Sequence, residues 1–512
     1  MRFAIMVFKH RIWPAAGLLA LSAVAASTVL AAAAPEETPP AVAREFRGLW
    51  VATVNNIDWP SRPGLPARQQ QAELIALFDR AAALHLNAII LQVRPSCDAI
   101  YPSSLEPWSE YLTGRMGQPP SPYYDPLAFA VAEAHRRALE LHAWFNPFRV
   151  RQADARSPLS PLQIAVQHPE LVRTYGKTLW LDPGDPAARQ YSLSVILDVV
   201  RRYDIDGVHF DDYFYPYPEK SEKNPAGPEI DFPDGVFWRR YQAGGGRLSR
   251  GDWRRQNINE FIDAVSVAVK KEKPWVQFGV SPFGIWRPGH PPQISGFDAY
   301  DKLYADSRQW LAEGWLDYCA PQLYWPIDQK AHSFAALLQW WCAQNTRRRT
   351  LCPGMRIDLT NGLREAVREI ELTRFQPGAS GQILWHARSL LRDQDGLAEA
   401  LESRVYPAPA LTPARPWLNG DPPDRPILRA RAAPGELALS WKSTNAPVSQ
   451  WVVQKRTGGH WSTEILAPAK TSETLPDGAG ALLPDAVAVS AVNHYGEVGP
   501  PAIFRGQGNA VH

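Results

Sequence analysis

The stretch YDIDGVHFDDYFYPYP, residues 203–218, ends a strand-like run on two adjacent aspartates, Asp211 and Asp212. With a period of two, His209 and Asp211 share one face of the strand, and their apolar neighbours take the other face. The apolar face suits packing beneath helices, so alternation directs His209 and Asp211 toward the axis of a barrel. Asp212 reaches the same place only if the strand ends before it. Two adjacent carboxylates are costly there, which predicts a use for the charge.

Seven further runs of apolar, β-branched or aromatic residues accompany this one, and helical patterns separate most of them. The eight runs are 46–53, 87–95, 139–148, 205–213, 276–284, 316–325, 351–357 and 381–387. Eight strands that alternate with helices predict an α/β fold, a parallel (β/α)8 barrel of the TIM type. An open doubly wound sheet is the competing fold, but no glycine-rich phosphate turn follows the first run.

The remainder of the chain divides into an export segment and a tail. Residues 1–34 carry basic residues, an Ala-rich apolar run and a small-residue end, which predict a signal peptide. An uncleaved membrane anchor is the alternative. The barrel is predicted over 44–408, and a proline-rich linker over 409–424. Short alternating runs in 425–507 predict a small all-β sandwich that resembles a fibronectin type III domain.

Charge and cysteine usage exclude several classes of protein. The chain has 54 basic and 52 acidic residues, and removing the three basic residues of the signal peptide leaves 51 against 52. This balance predicts no nucleic-acid partner. The four cysteines show no CxxC spacing, which disfavours a zinc ribbon. Cys342 and Cys352 are the most plausible disulfide pair in an exported protein, but buried free thiols are favoured over that pairing.

Residues at the carboxyl ends of barrel strands point into the active site of such folds. Here they are Arg94, Asp98, Trp144, Asn146, Arg149, His209, Asp211, Asp212, Tyr213, Ser281, Gln322, Tyr324, Trp325, Trp385 and His386. Carboxylates, amides and aromatic rings suit glycoside hydrolysis, in which one carboxylic acid protonates the leaving oxygen and one carboxylate attacks or activates water. The 20 Trp and 17 Tyr residues of the chain suit stacking on sugars. Asp211 and Asp212 are therefore the predicted catalytic residues.

Several of these positions also have a structural interpretation. An aspartate at a strand end often caps a turn, which applies to Asp212 and to Asp98. His209 could be a hydrogen-bonded core histidine, and Arg94 could be the ion-pair partner of a barrel carboxylate. The rings of Trp144 and Trp325 suit the core as well as a sugar platform.

Longer motifs make the chain similar to the family 10 glycosyl-hydrolase-like proteins, from about Arg44 to Glu402. They include REFRGLWVATVNNIDWPS, LQVRPSCDAIYPSSLEPWSEYLTG, LELHAWFNPFR, WLDPGDPAARQY, YDIDGVHFDDYFYPYP and DYCAPQLYW. The resemblance implies a barrel like those of retaining glycosidases. It also implies cleavage of peptidoglycan glycan strands that have lost their stem peptides, during envelope remodelling at division.

The resemblance also assigns residues by their match to the family motifs. These are Arg94, Asp98, Trp144, Asn146, His209, Asp211, Asp212, Gln322, Tyr324 and Trp325, and Tyr213 completes the predicted substrate-binding set. We predict no cofactor, no metal ligand and, after signal removal, no membrane span. Some relatives are lipoproteins, but the first cysteine here is Cys97, so the resemblance implies an exported periplasmic or secreted protein.

Two other functions remain open from the sequence. In a metal-dependent carbohydrate hydrolase or deacetylase, His209 and Asp211 would ligate the metal and Asp212 would act as base. In a non-catalytic glycan-binding barrel, the aromatic residues and the fibronectin-like tail would account for binding alone.

Overall fold

Parallel strands and covering helices alternate along most of the chain in the computed structural model. The structure describes residues 38–357, 362–393, 396–433, 436–445, 447–476 and 483–506, so the predicted signal peptide lies outside the described residues. The strands are β1 (Phe46–Val51), β2 (Ala88–Arg94), β3 (Glu140–Phe145), β4 (Arg149–Arg151), β5 (Val172–Tyr175), β6 (Thr178–Leu181), β7 (Gly207–Phe210), β8 (Gln277–Val280), β9 (Tyr318–Cys319), β10 (Thr350–Leu351), β11 (Gly354–Arg356), β12 (Gly381–Trp385), β13 (Ile427–Ala433), β14 (Glu436–Lys442), β15 (Gln450–Thr457), β16 (His460–Leu466), β17 (Ser472–Pro476), β18 (Ala486–Val492) and β19 (Ala502–Arg505). The helices are α1 (Ala67–Ala83), α2 (Glu110–Thr113), α3 (Pro126–His135), α4 (Ile164–Gln167), α5 (Pro186–Arg202), α6 (Gly235–Ala243), α7 (Arg250–Glu272), α8 (Ala299–Lys302), α9 (Ser307–Glu313), α10 (Phe334–Gln344), α11 (Gly362–Phe375), α12 (Ala387–Leu391) and α13 (Leu397–Ala400).

The main sheet is parallel and forms an α/β barrel, with strand order β10-β9-β8-β7-β3-β2-β1-β12-β11. The seventh predicted strand appears as two segments, β10 and β11, because Pro353 between them has no N–H to donate. The first segment pairs with β9 and the second with β12. The amide of Gly354 also donates to Pro321 O (2.9 Å), and the amide of Leu323 donates to Gly354 O (3.0 Å). These bonds join the two ends of the sheet.

Alternation along β7 sorts its side chains between two environments. Phe210 faces outward and stacks on Phe261 of α7, with ring centroids 6.0 Å apart. His209 faces the barrel axis, where its ring lies 5.9 Å from Trp50 and 6.3 Å from Trp144. Because β7 ends at Phe210, the two aspartates that follow are free of the alternation rule.

A small antiparallel sheet of order β4-β6-β5 is inserted after β3 and was not among the predicted strands. Its β6 strand is tied to the segment that follows the aspartates, since the indole of Trp180 donates to Phe214 O (2.9 Å). The insertion therefore holds β4, which carries Arg149, against the segment after β7.

The tail is all-β, as predicted, with two antiparallel sheets of order β13-β14-β17 and β16-β15-β18-β19. Its core includes Trp441 and Trp451, whose ring centroids are 6.5 Å apart. The fibronectin type III assignment stays a prediction.

The tail packs against the base of the barrel, where the strands begin. The guanidinium of Arg415 contacts Glu140 at the start of β3 (3.2 Å) and donates to His494 O in the tail (2.8 Å). The indole of Trp417 donates to Asp317 just before β9 (2.8 Å), and Gln450 donates to Ala138 O (2.7 Å). The segment predicted as a linker, 409–424, thus contacts both parts of the chain.

Two further sequence predictions concern thiols and membranes. All four cysteines are free, so Cys342 and Cys352 form no disulfide. Within the described ranges, no helix is long and apolar enough to cross a membrane.

Candidate active site

A cleft of about 450 Å³ opens at the carboxyl ends of the barrel strands. The lining residues are Trp50, Val54, Asn55, Ile57, Gln92, Trp144, Arg149, Gln152, Asp211, Asp212, Tyr213, Tyr217, Ser281, Phe283, Gln322, Tyr324, Arg356 and Trp385. Carboxylates, amides and aromatic rings therefore meet in one place, where barrel folds carry out their chemistry.

Asp211 is held by a single side-chain amide. The Nδ2 group of Asn146 lies 2.7 Å from Asp211 Oδ1 and 2.6 Å from Asp211 Oδ2. The backbone N–H of Tyr213 adds a longer contact to Oδ1, at 3.4 Å. Asn146 directly follows β3 and Asp211 directly follows β7, and because these strands are neighbours the two residues meet at the same edge of the sheet.

The orientation of Asn146 is fixed by a second amide. Gln92 Nε2 donates to Asn146 Oδ1 (2.7 Å), which leaves Asn146 Nδ2 to face the carboxylate. Gln92 Oε1 in turn accepts from the backbone N–H groups of Thr53 (2.9 Å) and Val54 (2.8 Å). The backbone N–H groups after β1 thus orient the amide of Gln92, and Gln92 in turn orients Asn146 so that its NH2 group faces Asp211.

Asp212 has a different partner, the phenol of Tyr217, which donates to Asp212 Oδ2. Tyr217 also packs edge-on against Tyr213, with ring centroids 5.4 Å apart. Asp211 and Asp212 are 5% and 4% exposed, so both carboxyl groups are largely withdrawn from water.

Burial changes the acidity of this pair. Desolvation raises the pKa of Asp211 to about 7, and the neighbouring Asp212 adds to the rise, while Arg149 and the Asn146 amide oppose it. Desolvation also raises the pKa of Asp212, against the hydrogen bonds from Tyr217 and Gln322. A carboxyl group with a pKa near neutrality can hold a proton and release it at the pH at which most enzymes work.

His209 lies beneath the cleft and does not line it. Its Nε2 accepts from the Trp50 indole (3.2 Å) and contacts Ser281 Oγ (3.0 Å), so its Nδ1 carries the proton shared with Tyr318 Oη (2.9 Å). Burial and the nearby His142 lower the pKa of His209 well below its ordinary value. The ring is a neutral support for the floor of the cleft, with both nitrogens engaged.

Three tryptophans form that floor. The Trp385 ring lies 6.2 Å from both Trp50 and Trp144, in edge-on arrangements. Trp144 is 5% exposed, and its indole N–H has no hydrogen-bond partner among the described residues. Buried aromatic surface of this kind offers apolar faces to a sugar ring, and the unpaired N–H offers a donor.

The structure brings most of the predicted site residues together and leaves others elsewhere. Those that line the cleft are Trp144, Asp211, Asp212, Tyr213, Gln322 and Tyr324. Asn146 contacts Asp211 without lining the cleft, and His209 lies beneath the cleft in contact with Trp50 and Ser281. Trp325 lies outside the lining and stacks on His332, with centroids 5.3 Å apart.

Arg94 and Asp98 also lie outside the cleft lining. Arg94 is fully buried, its guanidinium binds both oxygens of Glu106 (2.5 to 3.0 Å), and it donates to Asn146 O (2.7 Å). Asp98 is fully buried and accepts from the backbone N–H of Ser96 (2.8 Å). Arg94 thus fixes the backbone of Asn146, and Asp98 shapes the loop after β2.

Sequence reasoning assigned no role to several lining residues. Arg149, Ser281 and Trp385 stand at predicted strand ends, so their location near the site could be predicted but their role could not. Trp50 and Gln92 lie inside predicted strands, where alternation could have placed them on the axial face. Tyr217 lies in a loop, and only its place among the aromatic residues after Asp212 marked it.

The metal-dependent alternative concerns His, Cys, Asp and Glu side chains. Across the part of the chain that the structure describes, no three His, Cys, Asp or Glu residues group in a way that could hold a metal ion. His209 and Asp211, the ligands in the metal-dependent alternative, are engaged by Trp50 and by Asn146 respectively.

A pair of buried carboxyl groups in an aromatic cleft at this end of the strands is the arrangement expected of a carbohydrate-active α/β barrel. Residues 45–358 match the family described as glycosyl hydrolase-like 10. Glycosyl hydrolase YngK of Bacillus subtilis (strain 168) is 41% identical over 401 residues, which cover 75% of this chain and 76% of that protein. Glycosyl hydrolase DigH of Escherichia coli (strain K12) is 38% identical over 406 residues, which cover 72% of this chain and 89% of that protein. The chain therefore belongs to the glycosyl hydrolase-like 10 family.

Among solved structures, the glycoside hydrolase domain of PgaB (BpsB) from Bordetella bronchiseptica aligns with a TM-score of 0.46 at 15% identity. The alignment covers 70% of this chain and 98% of that domain.

Proposed function

We propose that this protein is a glycoside hydrolase that cleaves the glycan strands of bacterial peptidoglycan, with peptide-free strands as its substrate. The observation that carries the catalytic part is the buried pair Asp211 and Asp212 in the aromatic cleft. The choice of substrate is supported by the family motifs quoted above. Export to the periplasm or the medium, through residues 1–34, belongs to the same proposal.

In the proposed mechanism the two carboxyl groups have different tasks. Asp211 acts as the acid because desolvation raises its pKa to about 7, so about half of the molecules hold this proton at neutral pH. It donates that proton to the glycosidic oxygen as the bond from this oxygen to the anomeric carbon breaks. Asp212, which accepts from Tyr217, is the carboxylate that attacks the anomeric carbon or activates water. If Asp212 attacks, water then cleaves the ester between Asp212 and the anomeric carbon, and Asp211 takes the proton of that water. If Asp212 instead activates water, Asp212 takes the proton. In both cases water supplies the hydroxyl group of the new reducing end.

The aromatic floor and the fixed amides prepare this reaction. Trp50, Trp144 and Trp385 place apolar surface where a sugar ring can lie, and Asn146 keeps Asp211 in one orientation. Positioning of this kind lowers the barrier because little reorganisation remains when charge develops at the sugar.

The tail is proposed to be a fibronectin type III-like domain with a structural role. Its contact with Ala138, and that of the preceding segment 409–424 with Glu140, lie at the base of the barrel, at the opposite end of the strands from the cleft. It therefore supports the barrel without adding side chains to the lining.

The test is product analysis on purified, peptide-free glycan strands by mass spectrometry, with and without borohydride reduction. We expect new reducing ends with wild-type protein and none with Asp211→Asn, at equal folded concentration. Binding without new ends would indicate a glycan-binding barrel. Released acetate without new ends would indicate a deacetylase. Either result contradicts the proposal.

A further inference from the structure

Arg149 is a buried cation in the cleft with unused hydrogen-bond donors. The residue is 3% exposed and lines the cleft. Its Nε donates to Pro95 O (2.9 Å), and its guanidinium carbon lies 4.7 Å from the centroid of the Tyr213 ring. Among the described residues, its two terminal nitrogens make no hydrogen bond and no carboxylate lies within ion-pair distance of it.

The terminal nitrogens of Arg149 therefore have no protein partner to offset the cost of withdrawing a guanidinium from bulk water. Arg94, at the end of strand β2, shows the ordinary solution, since its terminal nitrogens bind Glu106 and two backbone carbonyls. Arg149 is instead fixed at Nε and along its flat face, which leaves the planar edge of the guanidinium available. That edge matches the two oxygens of a carboxylate in a bidentate pair.

We propose that Arg149 binds a carboxylate group of the substrate sugar, in the cleft beside Asp211 and Asp212. The inference rests on the proposed function. In peptidoglycan strands, the muramic acid residues carry a lactyl group, and its carboxylate is free only when the stem peptide has been removed. In peptide-bearing strands the same carbonyl carbon is part of a neutral amide. Arg149 would therefore be the residue that distinguishes the two kinds of strand.

A competing role is that Arg149 serves only as a counter-charge for the aspartate pair. Its positive charge lowers the pKa of both carboxyl groups, against their desolvation. A pure counter-charge would affect every substrate equally. A carboxylate-binding residue affects only substrates that carry the carboxylate, so the two roles separate in a comparison of substrates.

The experiment compares peptide-free strands with the same strands after their carboxylates have been reduced to alcohols. Arg149→Met is expected to lower kcat/KM on the native strands about 10- to 100-fold more than on the reduced strands, because a charge-assisted pair is lost. Arg149→Lys should show a loss between those of wild type and Arg149→Met, since it keeps the positive charge but loses the two parallel N–H groups of the guanidinium. Arg151→Met is the matched control, because the Arg151 guanidinium binds the Ser157 carbonyl (2.6 Å) outside the cleft lining. It should affect both substrates equally.

Equal losses on both substrates for Arg149→Met, with a normal thermal melt, would overturn the inference. A binding measurement separates this outcome from failure of the proposed function. Asp211→Asn protein, with and without Arg149→Met, is titrated with N-acetylmuramic acid and N-acetylglucosamine. A preference for the acid that requires Arg149 supports the inference even if wild-type protein cleaves no strand. Cleavage without any such preference leaves the proposed function standing and rejects the carboxylate site.

Discussion

Asp211 and Glu140 lie at opposite ends of the same barrel, and their surroundings shift the pKa of the carboxyl group in opposite directions. Glu140, at the base, has four donors: Arg415 (3.2 Å), Thr412 (2.8 Å), His142 (3.1 Å) and Gln277 (2.9 Å). Desolvation would raise its pKa, but Arg415, His142 and Thr412 hold that pKa below its ordinary value. Glu140 is therefore an anion that the fold has fully compensated.

Asp211, at the mouth, receives one side-chain amide and one long backbone contact, so desolvation prevails and its pKa rises to about 7. The comparison teaches that burial alone does not decide protonation. What decides it is the number of donors and cations placed around the carboxyl group. At the base, the polar groups around Glu140 stabilise its ionised form. At the mouth, Asp211 has few such partners and can therefore hold and release a proton near neutral pH.

The largest expected difference between Asp211 and Glu140 is in the effect of their amide variants on turnover. We expect Asp211→Asn to lower kcat about 10³-fold or more, because the amide cannot donate a proton to the leaving oxygen. Glu140→Gln is the matched amide variant at the base and should retain near-normal turnover per folded molecule. The measurement is release of reducing ends beside a thermal melt for each variant. Near-normal turnover in Asp211→Asn would remove Asp211 from the mechanism.

The second effect is on stability, and here the base should dominate. Arg415→Met leaves Glu140 buried without its cation and removes the hydrogen bonds to His494 O and Tyr495 O, so we expect a loss of about 3 kcal/mol in the free energy of unfolding. Turnover per folded molecule should not change. Urea unfolding measures the loss, with the exposed Arg68→Met as control. A loss no greater than that of the control would show that the base contacts contribute little.

The third effect is the pH dependence of stability, which should have opposite signs at the two sites. The raised pKa of Asp211 means that folded protein retains a proton that unfolded protein releases near its ordinary pKa of 3.8. Asp211→Asn should therefore gain stability relative to wild type as the pH rises from about 4 to about 7, by up to about 1.4 kcal/mol per pH unit.

Glu140 behaves in the reverse manner, because its lowered pKa contributes stability above its ordinary value of 4.5 and loses it below. The deficit of Glu140→Gln relative to wild type should therefore shrink as the pH falls below about 4.5. Unfolding free energies measured from pH 3 to pH 8 give both differences. Parallel curves for the two variants would contradict the assignment of opposite pKa shifts.

The smallest effect is a displacement of the pH–activity profile. If protonated Asp211 is the acid, kcat/KM should fall as the pH rises through about 7. Asn146→Leu removes an amide that favours the ionised form, so the alkaline limb of the residual activity should move upward by roughly one pH unit. An alkaline limb that stays in place would mean that another group sets it.

Much of the barrel follows from the sequence because strand periodicity is a local property. All eight predicted runs contain strands of the main sheet, and the seventh is divided where Pro353 interrupts it. The inserted strands β4, β5 and β6 are short and lie in a loop, so no long alternating run announced them. Contacts between the tail and the barrel base connect residues far apart in the chain, such as Arg415 and Glu140, and local patterns cannot reveal them.

The site shows the same division. Position at a strand end marked Asp211, Asp212, Tyr213 and Asn146, and alternation anticipated the axial direction of His209. The buried partner of Arg94 is Glu106 in the following loop, a pairing that only the folded loop makes evident. The adjacency of the two aspartates predicts that the pKa of one of them is raised, and the structure agrees. The desolvation that contributes most to this rise depends on what surrounds the pair in space, so it could not be predicted from the sequence.

The amide of Asn146 has a consequence for the chemical ageing of the protein. Asparagine side chains deamidate mainly when the backbone nitrogen of the next residue attacks the side-chain carbonyl and forms a succinimide. The next residue here is Pro147, whose ring nitrogen has no N–H and cannot take part in that cyclisation. Deamidation would place a new carboxylate against Asp211 and remove the donor that orients it. The Asn-Pro sequence thus protects the one amide whose slow hydrolysis would damage the site most directly.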